Sequence, residues 1–168
     1  LLAGLADGRR TPGDPLGGLR DVALTTNGVL LSEGRARALK NTGLDRITVS
    51  LDAVDGAVAA TMAGLRGGRS AGDGLVQQVL AGLAAARAAG FDPAAGDLKL
   101  NAVIQRGVND DQLIPLAELA RSQRMELRLI EYMDVGNRNG WRMDQVLPAE
   151  VMVPVSYTHL RAHETRRY

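Results

Sequence analysis

The chain has 168 residues, 45% of them hydrophobic, with 20 lysines and arginines against 19 aspartates and glutamates and a formal net charge of +1. That size buries the core of one domain, and the near-neutral balance excludes a long-range field for gathering nucleic acid or an anionic membrane. Cysteine is absent, which excludes disulfides, thiol catalysis and an iron-sulfur cluster held by this chain's own side chains.

Along the chain, "LLAGLADGRR" lacks the basic-then-apolar order of a secretory signal, and no apolar run approaches the roughly 20 residues that span a bilayer, so a cytoplasmic protein is expected. "GRRTPGDPLGG" (8 to 18) is a Gly/Pro loop. "DVALTTN" (21 to 27) reads as a first strand, with Thr25 and Asn27 projecting together. "LSEGRARALKNTG" follows as a helix, Ser32 its N-cap and Gly43 its stop. "DRITVSLD" (45 to 52) is a second strand, and "GLRGGRSAGDG" (64 to 74) a Gly-rich insertion. No strand precedes either Gly-rich stretch at the spacing of a phosphate-binding fingerprint, so both are expected to be flexible surface connections.

Leu75, Val79, Leu80 and Leu83 fall at helical spacing in "GLVQQVLAGLAAARAAG". "DLKLNAVIQ" (97 to 105) is a third strand. Asn109 is expected to cap the helix "DDQLIPLAELARSQ", with Asp110 and Asp111 where the helix dipole favours negative charge. "ELRLIEYMD" (126 to 134) is a fourth strand, running into "VGNRNGW". Strands alternating with helices indicate a parallel sheet of βαβ units.

Alternation within the strands says more. Ile47, Val49 and Leu51 share one face while Thr48, Ser50 and Asp52 share the other; Leu98, Leu100, Ala102 and Ile104 oppose Lys99, Asn101, Val103 and Gln105. A parallel sheet covered on both sides would read as nearly continuous apolar runs, and a closed barrel would fill with Val, Ile and Leu. A sheet curved around a polar interior that holds a large polar ligand fits better, and a buried Lys99 would then need an anionic partner such as phosphate. Residue by residue the plainer readings stand beside this: Thr25 and Asn27 as turn formers, Lys99 as a snorkelling edge lysine, Met133 as a gap filler.

"LTTNGVLL", "GLDRITVSLDAVD", "LKLNAVIQRGVNDDQL" and "LRLIEYMDVGNRNGW" resemble the middle of the radical S-adenosylmethionine GTP 3',8-cyclases, which catalyse the first step of molybdenum cofactor biosynthesis. The resemblance implies an α/β fold: a partial, open (β/α)6 TIM-like barrel, here truncated to about four βα units. It implies that Ser50 and Met133 contact S-adenosylmethionine, that Thr25 and Lys99 occupy nucleotide-binding positions, and that Arg128 is a further candidate for the triphosphate. No catalytic residue is assigned. Strict alternation puts Met133 on the face opposite Arg128, so either the strand is irregular near Tyr132 or one of those assignments fails.

Departures from the family pattern make an internal fragment the expected reading. The family's CxxxCxxC motif, its "GGEP" element and its three C-terminal cysteines have no counterpart here. The resemblance ends near Val151, giving residues 1 to 151 as the central part of a barrel and 152 to 168 as an atypical, non-native tail. His159 and His163 in that tail, spaced i, i+4, lack acidic partners for a metal site.

The implied parent enzyme binds GTP and S-adenosylmethionine, carries [4Fe-4S] clusters whose ligands are absent from this chain, and is a homodimer. It uses a 5'-deoxyadenosyl radical to convert GTP to (8S)-3',8-cyclo-7,8-dihydroguanosine 5'-triphosphate. Competing readings are another radical enzyme on the same barrel, a cluster-independent phosphate-binding TIM-barrel enzyme with Lys99 as a Schiff-base or phosphate residue, and an inactive nucleotide-binding fragment.

Overall fold

A computed structural model describes residues 1–133, 141–152 and 154. Its strands are β1 (Ala23–Thr26), β2 (Arg46–Ser50), β3 (Leu98–Ile104) and β4 (Glu126–Glu131), in one parallel sheet of order β1-β2-β3-β4. Its helices are α1 (Leu2–Arg10), α2 (Glu33–Asn41), α3 (Gly56–Met62), α4 (Gly68–Ala88) and α5 (Leu113–Ser122). The expected fold class is therefore observed. The chain divides into two compact units, residues 1–50 with 77–99 and residues 51–76 with 100–168.

In the first unit, β1 and β2 pair in parallel with Leu24 opposite Ile47 and Thr25 opposite Thr48. The Ile47 amide donates to the Asp97 carbonyl at 2.7 Å, which carries the ladder on to the start of β3. Ile47, Val49 and Leu98 are fully buried on one face, as the alternation requires. Gly28, at φ +74, lets the chain leave β1 in a tight turn, and a Cβ on Gly82 of α4 would lie 2.4 Å from the Gly28 carbonyl oxygen. Turn and helix thus meet backbone to backbone, and only glycine permits it.

Ser32 accepts from the Arg35 amide at the start of α2, and Gly43 stands just beyond its end at φ +90, both as expected. Helix α1 was not legible in the sequence. It is tied down by Arg9, which donates to the Asp45 carboxylate and, at 3.3 Å, to the Gly43 carbonyl.

In the second unit the structure corrects the reading of 64 to 74 as a flexible connection, because residues 68–74 are the first turns of α4. A Cβ on Gly72 would lie 1.7 Å from the Gly56 carbonyl oxygen, so the glycines weaken intrinsic helix propensity but permit a close crossing with α3 that larger residues would block. Asp55 caps α3, accepting from Ala57 and Val58, and pairs with Arg69 at 2.8 Å. Residues beyond the fourth strand return to the end of β3, where Gln105 and Val146 form an antiparallel bridge and Arg106 donates to the Gln145 carbonyl at 2.8 Å.

A second correction concerns Asn109. It makes no side-chain cap; a 3-10 turn, Asp110–Gln112, intervenes before α5 begins at Leu113. The amide is wanted elsewhere, inside the unit, as described below.

Candidate functional site

The first unit assembles a polar row. The printed β1–β2 pairing and the Ile47-to-Asp97 hydrogen bond together set Thr25, Thr48 and Lys99 side by side on the face opposite Ile47 and Leu98. Thr25, on the edge strand, is exposed, whereas Thr48 and Lys99 are each only 8% exposed. Ammonium groups are strongly hydrated, and a snorkelling edge lysine keeps its head in water. The burial of Lys99 in the polar row does not match that snorkelling position. Ser50 ends β2 on the same face as Thr48 and is half-buried.

The second unit holds a polar knot at the strand ends. Asn109, fully buried, donates from Nδ2 to the carbonyls of Asp52 and Val103, each at 2.8 Å, and accepts at Oδ1 from the Gln105 amide at 2.7 Å. The Asp52 carboxylate accepts from the Val103 amide at 2.8 Å. Burial pushes the Asp52 carboxyl up from its ordinary value, and the Val103 hydrogen bond opposes that shift in part. Gln112 Oε1 accepts from the amides of Val54 and Asp55, fastening the loop that follows Asp52.

Just before this knot in β3 stands Asn101, whose Oδ1 is buried without a hydrogen-bond partner, the one such side-chain atom among the described residues. The alternation of β3 placed Asn101, and that of β2 Thr48, on the polar face. The residue type carries a further signal, because a mid-strand asparagine is disfavoured unless something demands it.

Arg128 and Met133 also belong to the second unit. Arg128 is exposed and pairs with Glu126, two residues back on its own face of β4, at 2.7 Å. Met133 is 61% exposed and lies past Glu131, where β4 ends, so strand alternation does not govern it and the conflict with Arg128 disappears. Asp134, Asn137, Asn139, His159 and His163 lie outside the described residues. Among the described residues no group of three or more His, Cys, Asp or Glu could hold a metal ion, and no helix is long and apolar enough to cross a membrane.

The arrangement can bind a ligand bearing both anionic and hydrogen-bonding groups. Among the described residues it offers no nucleophile beside a base.

The family model of the Radical SAM superfamily matches residues 5–120. The GTP 3',8-cyclase of Synechococcus sp. strain CC9605 is 68% identical over 153 residues, covering 91% of this chain and 44% of that protein. The GTP 3',8-cyclase of Parasynechococcus marenigrum strain WH8102 is 68% identical over 162 residues, 96% of this chain and 45% of that protein. That of Xanthomonas campestris pv. campestris strain B100 is 51% identical over 130 residues, 77% of this chain and 35% of that protein. The chain thus spans less than half the length of these curated relatives.

Proposed function

Since this chain belongs to the Radical SAM superfamily, we propose that it supplies nucleotide-binding strands of a GTP 3',8-cyclase acting in molybdenum cofactor biosynthesis. The observation that carries the reading is the identity of 68% across 91% of the chain to a protein of that activity. The polar row is the physical support: Lys99 would neutralise GTP triphosphate charge, with Thr25, on the far side of Thr48, at the same nucleotide, while Ser50 and Met133 would hold S-adenosylmethionine. Arg128 would join the triphosphate only by exchanging its Glu126 partner for phosphate.

The residues present fit S-adenosylmethionine, a ligand rich in hydroxyl and amino donors, because the half-buried Ser50 hydroxyl stands on a polar strand face of the first unit. Bound there, it would supply hydrogen-abstracting radical chemistry. A [4Fe-4S] cluster does not fit the residues of this chain, which has no cysteine among its 168 residues to ligate one. What this chain would contribute is orientation, charge neutralisation and exclusion of water.

The same reading takes residues 1 to 151 as the central part of the barrel and 152 to 168 as an atypical, non-native tail. It puts the protein in the cytoplasm, without nucleic-acid or membrane partners, and the parent enzyme as a homodimer. Calorimetric titration of the chain with GTP and with S-adenosylmethionine tests it: saturable binding of each is expected, and binding of neither would overturn the proposal.

A further inference from the structure

The turn that closes β1 carries a chemical liability. Gly28 sits at φ +74, and a Cβ there would lie 2.9 Å from Val49 Cγ1 and 3.7 Å from Val79 Cγ1, so the fold demands glycine at this position. The residue before it is Asn27, which is exposed. An asparagine followed by glycine is the pair most open to deamidation, because no Cβ hinders the following amide nitrogen as it attacks the asparagine side chain. In that reaction the Gly28 nitrogen bonds to Asn27 Cγ, the Cγ–Nδ2 bond breaks, and ammonia leaves with the Gly28 amide proton, giving a succinimide. Water then opens the ring to aspartate or isoaspartate, and no oxidant or cofactor takes part.

Both reacting groups are held. The Gly28 amide donates to Thr26 Oγ1 at 3.1 Å, and Asn27 Oδ1 accepts from the Val29 amide at 3.3 Å. Attack requires the Gly28 amide to lose its proton, which breaks the bond to Thr26 and leaves an anionic nitrogen in a buried residue. The Gly28 peptide is pinned as well, since its carbonyl accepts from the Leu31 amide at 3.0 Å and lies against Gly82 of α4. Turn, Val49, Val79 and Gly82 all belong to the first unit. We propose that Asn27 is a latent modification site that deamidates when this turn opens, and that the Thr26 hydroxyl on the Gly28 amide keeps it unreacted. The readout is covalent, so it stands independently of the nucleotide-binding reading.

Incubation of the chain at mildly alkaline pH, folded and in guanidinium chloride, followed by tryptic digestion and mass spectrometry, tests this. Cleavage after Arg20 and Arg35 puts Asn27 in the peptide 21–35, apart from the other Asn-Gly pair at Asn139 and Gly140. Asn27 is expected to deamidate about tenfold or more slowly in the folded chain than in denaturant. Thr26→Val, which keeps the branched shape and removes the hydroxyl, should speed the folded chain by about three- to tenfold, the effect of losing one hydrogen bond. Thr26→Ser, which keeps the hydroxyl, should stay near wild type.

Equal rates at Asn27 in the folded chain and in denaturant would overturn the inference. So would a folded Thr26→Val variant that reacts no faster than wild type. Arg9→Met loosens the same unit by removing the ion pair with Asp45, and an equal acceleration by that variant would show that Thr26 acts only through general stability. If the valine variant does not fold, Thr26→Ser and Thr26→Ala, which differ in the hydroxyl alone, decide the matter: the alanine variant should react faster, and equal rates in that pair refute the assignment.

Discussion

Removing the Asn109 side chain gives the strongest stability test of the polar knot. Asn109→Ala deletes three hydrogen bonds and leaves the Gln105 amide and the carbonyls of Asp52 and Val103 short of a partner at a position that is 0% exposed. A buried donor or acceptor left unsatisfied costs about 1 to 3 kcal/mol, and carbonyls, with two lone pairs, suffer less than the amide, so a total of about 3 to 5 kcal/mol is expected. For a chain of this size that lowers Tm by about 6 to 20 °C.

Asn109→Asp sharpens the test. It keeps the acceptor for Gln105 but turns a carboxylate oxygen toward two carbonyls, so at neutral pH it should be at least as damaging as alanine. Its folded-state pKa is then raised above the unfolded value. The deficit is complete above the folded pKa and recedes as pH falls through it, because the protonated acid regains one donor. Urea titrations at neutral and mildly acidic pH measure both variants. A cost below about 1 kcal/mol for alanine, or an aspartate variant that matches wild type at neutral pH, would show that the knot is not what holds the strand ends.

Three further outcomes are expected. Lys99→Ala should weaken GTP binding by about ten- to a hundredfold, the loss of a charge-assisted contact worth roughly 1.5 to 3 kcal/mol, with Lys99→Met behaving alike and S-adenosylmethionine affinity nearly unchanged; GTP affinity equal to wild type in both folded variants would remove Lys99 from the site. Anaerobic treatment of the chain with iron and sulfide should give no [4Fe-4S] chromophore and no 5'-deoxyadenosine, and visible absorbance rising together with that product would refute the expectation. The Arg9 guanidinium, by hydrogen bonding, holds the Asp45 carboxyl below its ordinary value, so the pair stabilises the fold above the unfolded pKa of Asp45 and that contribution is lost as pH falls through the lowered folded value. Arg9→Met should flatten that part of the acid-denaturation profile, which an unchanged profile would contradict.

Much of this protein is legible in the sequence because its signals are local. Period-two alternation in "DRITVSLD" and "DLKLNAVIQ" separates Ile47, Val49, Leu98 and Leu100 from Thr48, Ser50, Lys99 and Asn101 without reference to anything distant. Ser32 and Gly43 bracket α2 for equally local reasons, a hydroxyl that meets an amide three residues on and a backbone that must turn left-handed.

The features missed or misread depend on partners far along the chain. Residues 68–74 look like a loop because glycine is a poor helix former, and become helix because Gly72 and Gly56 let two backbones touch. Asn109 looks like a helix cap because asparagine is good at capping, and instead fastens Asp52, 57 residues away. Asn101 could be assigned to a face from its register, but that its oxygen is sealed from water with nothing to bond follows only from the packed structure. Propensity and period act between neighbours in sequence, whereas burial and hydrogen-bond satisfaction are settled by whichever groups tertiary packing brings near.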